Sequence, residues 1–149
     1  MKNILFLCTG NSARSIMAEA YMNHAADGRW QAYSAGSKPT GTPNPFALKT
    51  LAAHKLPAPD PRSKSWDEFA SADAPVMSAI VTVCDNAAGE TCPIWPTQDG
   101  RTPNTLHWSF PDPAAATGSD EQISAAFETI FADIKAAIDN FLKADHGDR

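Results

Sequence analysis

The stretch Cys8-Thr9-Gly10-Asn11-Ser12-Ala13-Arg14-Ser15 decides the fold of this chain. It follows the apolar run Ile4–Leu7 and precedes the helix-like run Ile16–Ala20. A loop of small residues between a strand and a helix turns its backbone N–H groups toward one point, and the helix adds the positive end of its dipole. The sequence therefore predicts an oxyanion-binding loop formed by Thr9, Gly10, Asn11, Ser12, Ala13, Arg14 and Ser15.

Two side chains give this loop its chemistry. Arg14 offers a planar, bidentate guanidinium group to an oxyanion. The positive field of the loop favours the thiolate form of Cys8, which is the form that attacks as a nucleophile. The alternative is a buried cysteine that ends a core strand, with Arg14 on the helix surface. The strand before the loop and the helix after it favour a nucleophilic Cys8 beneath a bound tetrahedral oxyanion.

The rest of the chain alternates between strand and helix patterns. We predict strands over 3–7, 30–35, 79–84 and 106–110 and helices over 15–26 and 45–54, the second capped by Asn44. Ser65 and Ser119 each begin a capping box, the first for a short helix and the second for a long closing helix. This alternation predicts an α/β fold with a parallel sheet. We expect one domain over 1–142 and a flexible C-terminal tail over 143–149.

Composition narrows the function classes. The chain has 149 residues and a net charge of −5, without a basic cluster, which argues against nucleic acid as a partner. The N-terminal apolar run is too short for a signal peptide, and no later segment could span a bilayer. We therefore expect a cytoplasmic protein with no membrane partner. In that reducing compartment, the three cysteines indicate redox, catalytic or metal roles.

Cys84 and Cys92 are the other two cysteines. Cys84 ends a predicted strand, and parallel strands direct their carboxyl ends to one edge of the sheet, so we expect it close to Cys8. A dithiol near an activated thiol favours disulfide exchange. Zinc binding with His107 is the rival explanation, but Cys84 and Cys92 are too far apart for the usual paired ligands.

Asp112 lies between Pro111 and Pro113, which stiffen its loop. An aspartic acid held over the anion loop would give a proton to the oxygen that departs when Cys8 attacks an oxyanion. The alternative is an aspartate in an ordinary proline turn.

With these residues in place, the chain resembles the arsenate reductases built on the low-molecular-weight protein tyrosine phosphatase fold. The resemblance rests on the loop 8–15, on Tyr33-Ser34-Ala35-Gly36, on the segment from Val83-Cys84-Asp85 to Cys92-Pro93, on His107-Trp108 and on Asp112-Pro113. It implies a four-stranded parallel sheet flanked by helices. It also implies reduction of arsenate to arsenite in arsenic detoxification, with no cofactor and no metal in the chemistry.

By that resemblance, Cys8 is the nucleophile, Arg14 holds the oxyanion and Asp112 is the general acid. Cys84 and Cys92 form the redox pair, which is reduced by thioredoxin or by a glutaredoxin and small-thiol system. Asn11 and Ser15 would support the loop and the Cys8 thiolate.

Two departures from these relatives stand out. Seven residues separate Cys84 from Cys92, one more than in the best-known thioredoxin-coupled members. Some members also hold a potassium ion near the positions of Asn11, Glu19 and Ser34, with an acidic residue where this chain has Lys64. We expect the Lys64 ammonium to lie near Glu19 and Asn11 in place of that cation.

Two other functions compete with arsenate reduction. A protein tyrosine phosphatase of this fold would hydrolyse phosphotyrosine through a Cys8 phospho-enzyme, but it leaves Cys84 and Cys92 without a role. A non-enzymatic module that senses the redox state of thiols would leave the anion loop without a role. Residual phosphatase activity on small aryl phosphates is compatible with the first assignment, since arsenate and phosphate are both tetrahedral.

Overall fold

Four parallel strands form one sheet in the computed structural model, which describes residues 2–8, 10–11, 13–56, 63–69, 76–83, 104–108, 110–111, 113 and 116–145. The strands are β1 (Lys2–Cys8), β2 (Trp30–Gly36), β3 (Ala79–Thr82) and β4 (Asn104–His107), in the spatial order β2-β1-β3-β4. All three pairings are parallel. This confirms the four-stranded parallel sheet that the sequence and its resemblance imply.

Within the described residues, three α-helices accompany the sheet, α1 (Arg14–Ala25), α2 (Pro45–Ala53) and α3 (Asp120–Asp145), together with a short 3₁₀ helix over Trp66–Phe69. Two predicted caps are confirmed. The Asn44 side chain accepts a hydrogen bond from the Phe46 N–H at 2.8 Å. Ser119 and Gln122 form a reciprocal capping box, in which each backbone N–H donates to the other's side chain.

β1 runs through the centre of the sheet, and its residues Ile4–Leu7 are fully buried. Alternate side chains of a strand point to opposite faces. Ile4, Phe6 and Cys8 belong to the core that α1 and α3 share, whereas Leu5 and Leu7 belong to a second, smaller core. Cys8 is the last residue of β1, so its thiol lies at the carboxyl edge of the sheet.

The closing helix buries one face, as its apolar spacing predicts. The buried residues of that face are Phe127, Ile130, Phe131, Ile134, Ile138 and Leu142. The helix continues to Asp145, so residues 143–145 are helical and do not belong to the predicted tail. The physical reason is that the buried Leu142 anchors the last turns to the core. Residues 146–149 lie outside the described residues.

Two strand boundaries differ from the prediction. β4 covers 104–107 where we predicted 106–110, and β3 ends at Thr82 where we predicted 84. After Trp108, whose N–H still donates to the Thr82 carbonyl, the chain leaves the sheet, and the Phe110 carbonyl accepts a hydrogen bond from Arg14 instead. Across the described part of the chain, no helix combines the length and the apolar character needed to cross a membrane.

Candidate active site

The Cys8 thiol is the centre of the candidate site. Cys8 is 2 % exposed, and its sulfur accepts a hydrogen bond from the Asn11 backbone N–H at 3.1 Å. The Ser15 hydroxyl lies 2.9 Å from the same sulfur. Asn11 precedes α1 and Ser15 is in its first turn, so the loop wraps back over the end of β1. Hydrogen-bond donors aimed at a sulfur atom stabilise its thiolate form.

The direction of the Ser15 hydrogen follows from its neighbours. The Lys64 backbone N–H, which can only donate, lies 2.8 Å from one side-chain atom of Asn11, so that atom is the oxygen Oδ1. The Asn11 Nδ2 therefore faces Ser15 and donates to its Oγ at 2.8 Å. A thiolate carries no hydrogen, so when Cys8 is ionised the Ser15 hydroxyl, 2.9 Å away, is the donor to its sulfur. In each hydrogen bond from Lys64 to the Cys8 thiolate, the donor is therefore on the Lys64 side.

Asn11 adopts a left-handed backbone conformation with φ of 46°. Asparagine tolerates this region better than most residues do. The turn brings the Asn11 N–H onto the Cys8 sulfur while its side chain bonds Ser15 and Lys64. Asn11 therefore sets the course of the loop backbone and also provides hydrogen bonds around the Cys8 sulfur.

Arg14 is buried at the same edge of the sheet, with 4 % of its surface exposed. Its Nη1 donates to the Phe110 carbonyl at 3.1 Å and more weakly to the Val83 carbonyl at 3.5 Å. These bonds orient the guanidinium group between the end of β3 and the connection after β4. A cation fixed in this way is prepared to hold an oxyanion.

The N-terminus of α1 supplies further donors. Ala13 precedes the helix and has no side chain that could cap it. The first N–H groups of a helix need an acceptor, and an oxyanion placed there meets both these groups and the positive end of the helix dipole. Gly10, Asn11, Ala13, Arg14 and Ser15 lie at the junction between the end of β1 and the first turn of α1, and their role in binding an anion stays a prediction.

The outer side of the loop is held by contacts that the sequence analysis missed. The Gly10 carbonyl accepts hydrogen bonds from the Thr40 N–H at 3.0 Å and from the Ser63 hydroxyl at 3.1 Å. Ser63 in turn accepts from the Gly41 N–H at 3.1 Å. These are contacts between loops distant in sequence, and neither periodicity nor motif spacing signals them.

Lys64 lies behind the loop, where the resemblance led us to expect it. Its ammonium group is 3.8 Å from the Glu19 carboxylate and 3.5 Å from the Ser34 hydroxyl. The Ser34 hydroxyl also donates to Glu19. The expected proximity of the ammonium group to Glu19 is confirmed, and the Lys64 backbone N–H contacts Asn11.

Several predicted site residues lie outside the described residues. They are Thr9, Ser12, Cys84, Cys92 and Asp112. Val83, which directly precedes Cys84 in the sequence, donates its N–H to the Leu7 carbonyl at 2.8 Å and so lies beside the end of β1. His107 is exposed, and its Nδ1 lies 2.8 Å from the Thr82 hydroxyl.

With the geometry of this site described, the sequence of the chain can be compared with known families. The model of the low molecular weight phosphotyrosine protein phosphatase family matches residues 3–147. The chain belongs to this family. Its curated relatives include a protein named arsenate reductase from Halalkalibacterium halodurans, 36 % identical over 94 % of both chains. Another of that name, from Shouchella clausii, is 37 % identical over 94 % of both chains.

Two solved structures of other proteins share this fold. A crystal structure of an arsenate reductase from Archaeoglobus fulgidus matches with a TM-score of 0.75 and 27 % identity, covering 94 % of this chain and 98 % of that one. A tyrosine phosphatase from Erwinia amylovora matches with a TM-score of 0.70 and 21 % identity, covering 96 % and 92 %. The second likeness concerns the fold alone, which is thus compatible with two different reactions.

Proposed function

We propose that this protein reduces arsenate to arsenite and so contributes to arsenical resistance. The observation that carries the proposal is the Cys8 sulfur, which lies at the start of the predicted anion loop, accepts a hydrogen bond from the Asn11 N–H and lies 2.9 Å from the Ser15 hydroxyl. The curated relatives named arsenate reductase, which share more than a third of their residues with this chain, support the choice of substrate.

In the first step, arsenate binds in the loop over residues 9–15. Arg14 and the N-terminus of α1 hold its oxygens, and the Cys8 thiolate attacks arsenic. A new sulfur–arsenic bond forms as one arsenic–oxygen bond breaks. Asp112 protonates the departing oxygen, which leaves as water. The placement of Asp112 over the loop rests on the family resemblance and on the two prolines beside it.

In the second step, the Cys84 thiolate attacks the Cys8 sulfur. The electron pair of the sulfur–arsenic bond passes to arsenic, which leaves as arsenite, while Cys8 and Cys84 become a disulfide. Two thiols thus supply the two electrons that reduce arsenic from the pentavalent to the trivalent state. Cys92 then attacks Cys84 and releases the Cys8 thiolate, which leaves a Cys84–Cys92 disulfide for an external reductant.

The external partner in this scheme is thioredoxin or a glutaredoxin and small-thiol system. Both are found where the environment is reducing, and we therefore place the reaction in the cytoplasm. No cofactor or metal ion enters any of the steps above.

Single-turnover experiments on cysteine variants test the relay. With one equivalent of arsenate, Cys92→Ser should release arsenite once and stop as a Cys8–Cys84 disulfide. Cys84→Ser should stop earlier, with arsenic still bound to Cys8. Mass spectrometry under non-reducing conditions separates the two species, and the wild-type protein with thioredoxin provides the reference for full turnover.

The outcome also identifies the reductant. Wild-type turnover of Cys92→Ser with thioredoxin would refute the three-cysteine relay. Wild-type turnover of that variant only with a glutaredoxin and small-thiol system would assign the enzyme to the thiol-coupled branch.

Hydrolysis of aryl phosphates is the second candidate, because the family and the fold are shared with tyrosine phosphatases. The connection over 37–44, whose Thr40 N–H donates to the Gly10 carbonyl and whose Gly41 N–H donates to Ser63, contains no aromatic residue that could contact a phenyl ring. We therefore expect only residual activity on p-nitrophenyl phosphate. A catalytic efficiency on this substrate above that on arsenate would favour the phosphatase.

A further inference from the structure

Lys64 places a positive charge in the interior of the protein. The residue is 8 % exposed, and its ammonium group lies 3.8 Å from Glu19 and 3.5 Å from Ser34. Glu19 belongs to α1 and Ser34 to β2, so the ammonium group joins a helix and a strand to the segment that contains Lys64. Burial of a charged amine is costly unless a partner of opposite charge compensates it, and Glu19 is such a partner.

A potassium ion of the kind held by some relatives does not fit this arrangement. The oxygen atoms of Glu19 and Ser34, two of the positions that correspond to its ligands, already face the ammonium group. A second cation at this place would meet a like charge at close range.

We propose that the Lys64 ammonium takes the place of that cation and that Lys64 is thereby a positioning residue for Cys8. A free ion contacts only oxygen atoms, whereas an ammonium group is tethered to a backbone. Here the tether carries the N–H that donates to Asn11 at 2.8 Å. The carbonyl of the same residue accepts the Gly36 N–H at 2.9 Å, which ties it to the end of β2.

The consequence reaches the nucleophile through three hydrogen bonds. The Lys64 N–H fixes the Asn11 amide, the amide donates to Ser15, and Ser15 then directs its hydrogen to Cys8. Without the ammonium group, the carboxylate of Glu19 loses its compensating charge, and the backbone of Lys64 loses one of its anchors while the bond from Gly36 remains. The Asn11 amide can then rotate, and Ser15 no longer has a fixed direction in which to donate.

Two substitutions of the same residue separate the charge from the space it occupies. Lys64→Met removes the charge but keeps most of the aliphatic stem, while Lys64→Ala also opens room beside Glu19. In sodium buffer, both should slow the alkylation of Cys8 by iodoacetamide about fivefold, the effect of weakening one hydrogen bond to a thiolate. Lys135→Met, on the exposed side of α3, is the control and should react like the wild type.

Replacing sodium by potassium at matched ionic strength gives the decisive comparison. Potassium should raise both the alkylation rate and the melting temperature of Lys64→Ala, while Lys64→Met and the wild type should not respond. Wild-type alkylation in both variants would overturn the proposal. So would slow alkylation of Lys64→Ala without a potassium response, or a potassium-specific rise in the melting temperature of the wild type.

The inference rests on the proposed role of Cys8 as nucleophile, yet its test does not need arsenate. Alkylation and melting report on the thiol and the fold even if the substrate were a different oxyanion. If the single variants fail to fold, Glu19→Gln combined with Lys64→Met removes both charges together. This pair should fold, alkylate slowly and ignore potassium, and wild-type alkylation by it would count against the proposal.

Discussion

Helix α1 takes part in two regions, one held together by hydrogen bonds and the other by apolar packing. At its start lies the Cys8 network, which we define as Cys8, Asn11, Ser15 and Lys64 with the bonds between them. Further along lies the α1–α3 interface, where apolar groups pack on one another. There the ring of Tyr21 meets that of Phe131 edge-on at 5.9 Å, and Ile134 is fully buried.

The two regions differ in how they respond to change. In the Cys8 network, each hydrogen bond joins a buried donor to a buried acceptor, so removing one partner leaves a buried polar atom unsatisfied, which costs about 1–3 kcal/mol. In the α1–α3 interface, contacts have no direction, and the cost of a change follows the volume lost. Conservative substitutions should therefore be severe in the first region and mild in the second.

The largest effect is expected for Cys8→Ser. A serine hydroxyl is not ionised in this loop, so arsenate reduction and any aryl phosphatase activity should both disappear. Because the side chains are similar in size, the melting temperature should stay near that of the wild type. Steady-state turnover and thermal unfolding measure the two properties separately. A variant that kept about a tenth of wild-type turnover would contradict the role of Cys8 as nucleophile.

The second-largest effect is expected for Arg14→Lys, which keeps the positive charge but removes the planar guanidinium group. An ammonium group cannot reproduce the bidentate contact with an oxyanion or the bonds to Phe110 and Val83. We expect turnover to fall about a thousandfold, as for the loss of a preorganised oxyanion donor. Single-turnover rates at saturating arsenate measure this. A loss smaller than about tenfold would show that the positive charge alone suffices and that the directional contacts of Arg14 matter less than we argue.

Ile134→Val provides the counterpart in the α1–α3 interface. Removal of one methylene group from this fully buried residue should lower the free energy of unfolding by roughly 1 kcal/mol. The rate of Cys8 alkylation in the folded protein should not change. Urea unfolding and alkylation of the same sample make the comparison, and slower alkylation would mean that the two regions are coupled.

The same contrast explains what could be predicted from the sequence. The strands, the helices and the buried face of α3 follow from apolar periodicity, and the Cys8 loop follows from a contiguous motif. The bonds of Thr40 and Ser63 to the Gly10 carbonyl could not be predicted, because they depend on how distant loops meet. The position of Lys64 came from a resemblance to relatives and not from any pattern in this chain. Directional contacts over long sequence separations leave no periodic signal.

Tyr21→Phe should have the smallest effect on stability at neutral pH. It removes one hydrogen bond that the wild type makes at the edge of the apolar α1–α3 interface. The Tyr21 hydroxyl donates to Asp139 at 2.7 Å. Burial, followed by this bond and the charge of Asp139, raises the pKa of Tyr21 from its usual value of 10.0 to about 12. Because Asp139 is partly exposed, loss of the bond should cost only about 0.5 kcal/mol.

The pH dependence gives this prediction its sharper form. A pKa raised by folding means that the native state holds its proton more tightly than the unfolded chain does. The contribution of Tyr21 to stability is therefore complete below pH 10 and is lost as the pH rises toward 12. Because this loss exceeds the contribution of the bond at neutral pH, the advantage of the wild type over Tyr21→Phe in unfolding free energy should shrink and then reverse across this range, as measured by urea unfolding. Ile134→Val removes no titrating group, so its difference from the wild type should stay constant, and a constant difference for Tyr21→Phe would mean that folding does not raise the pKa of Tyr21.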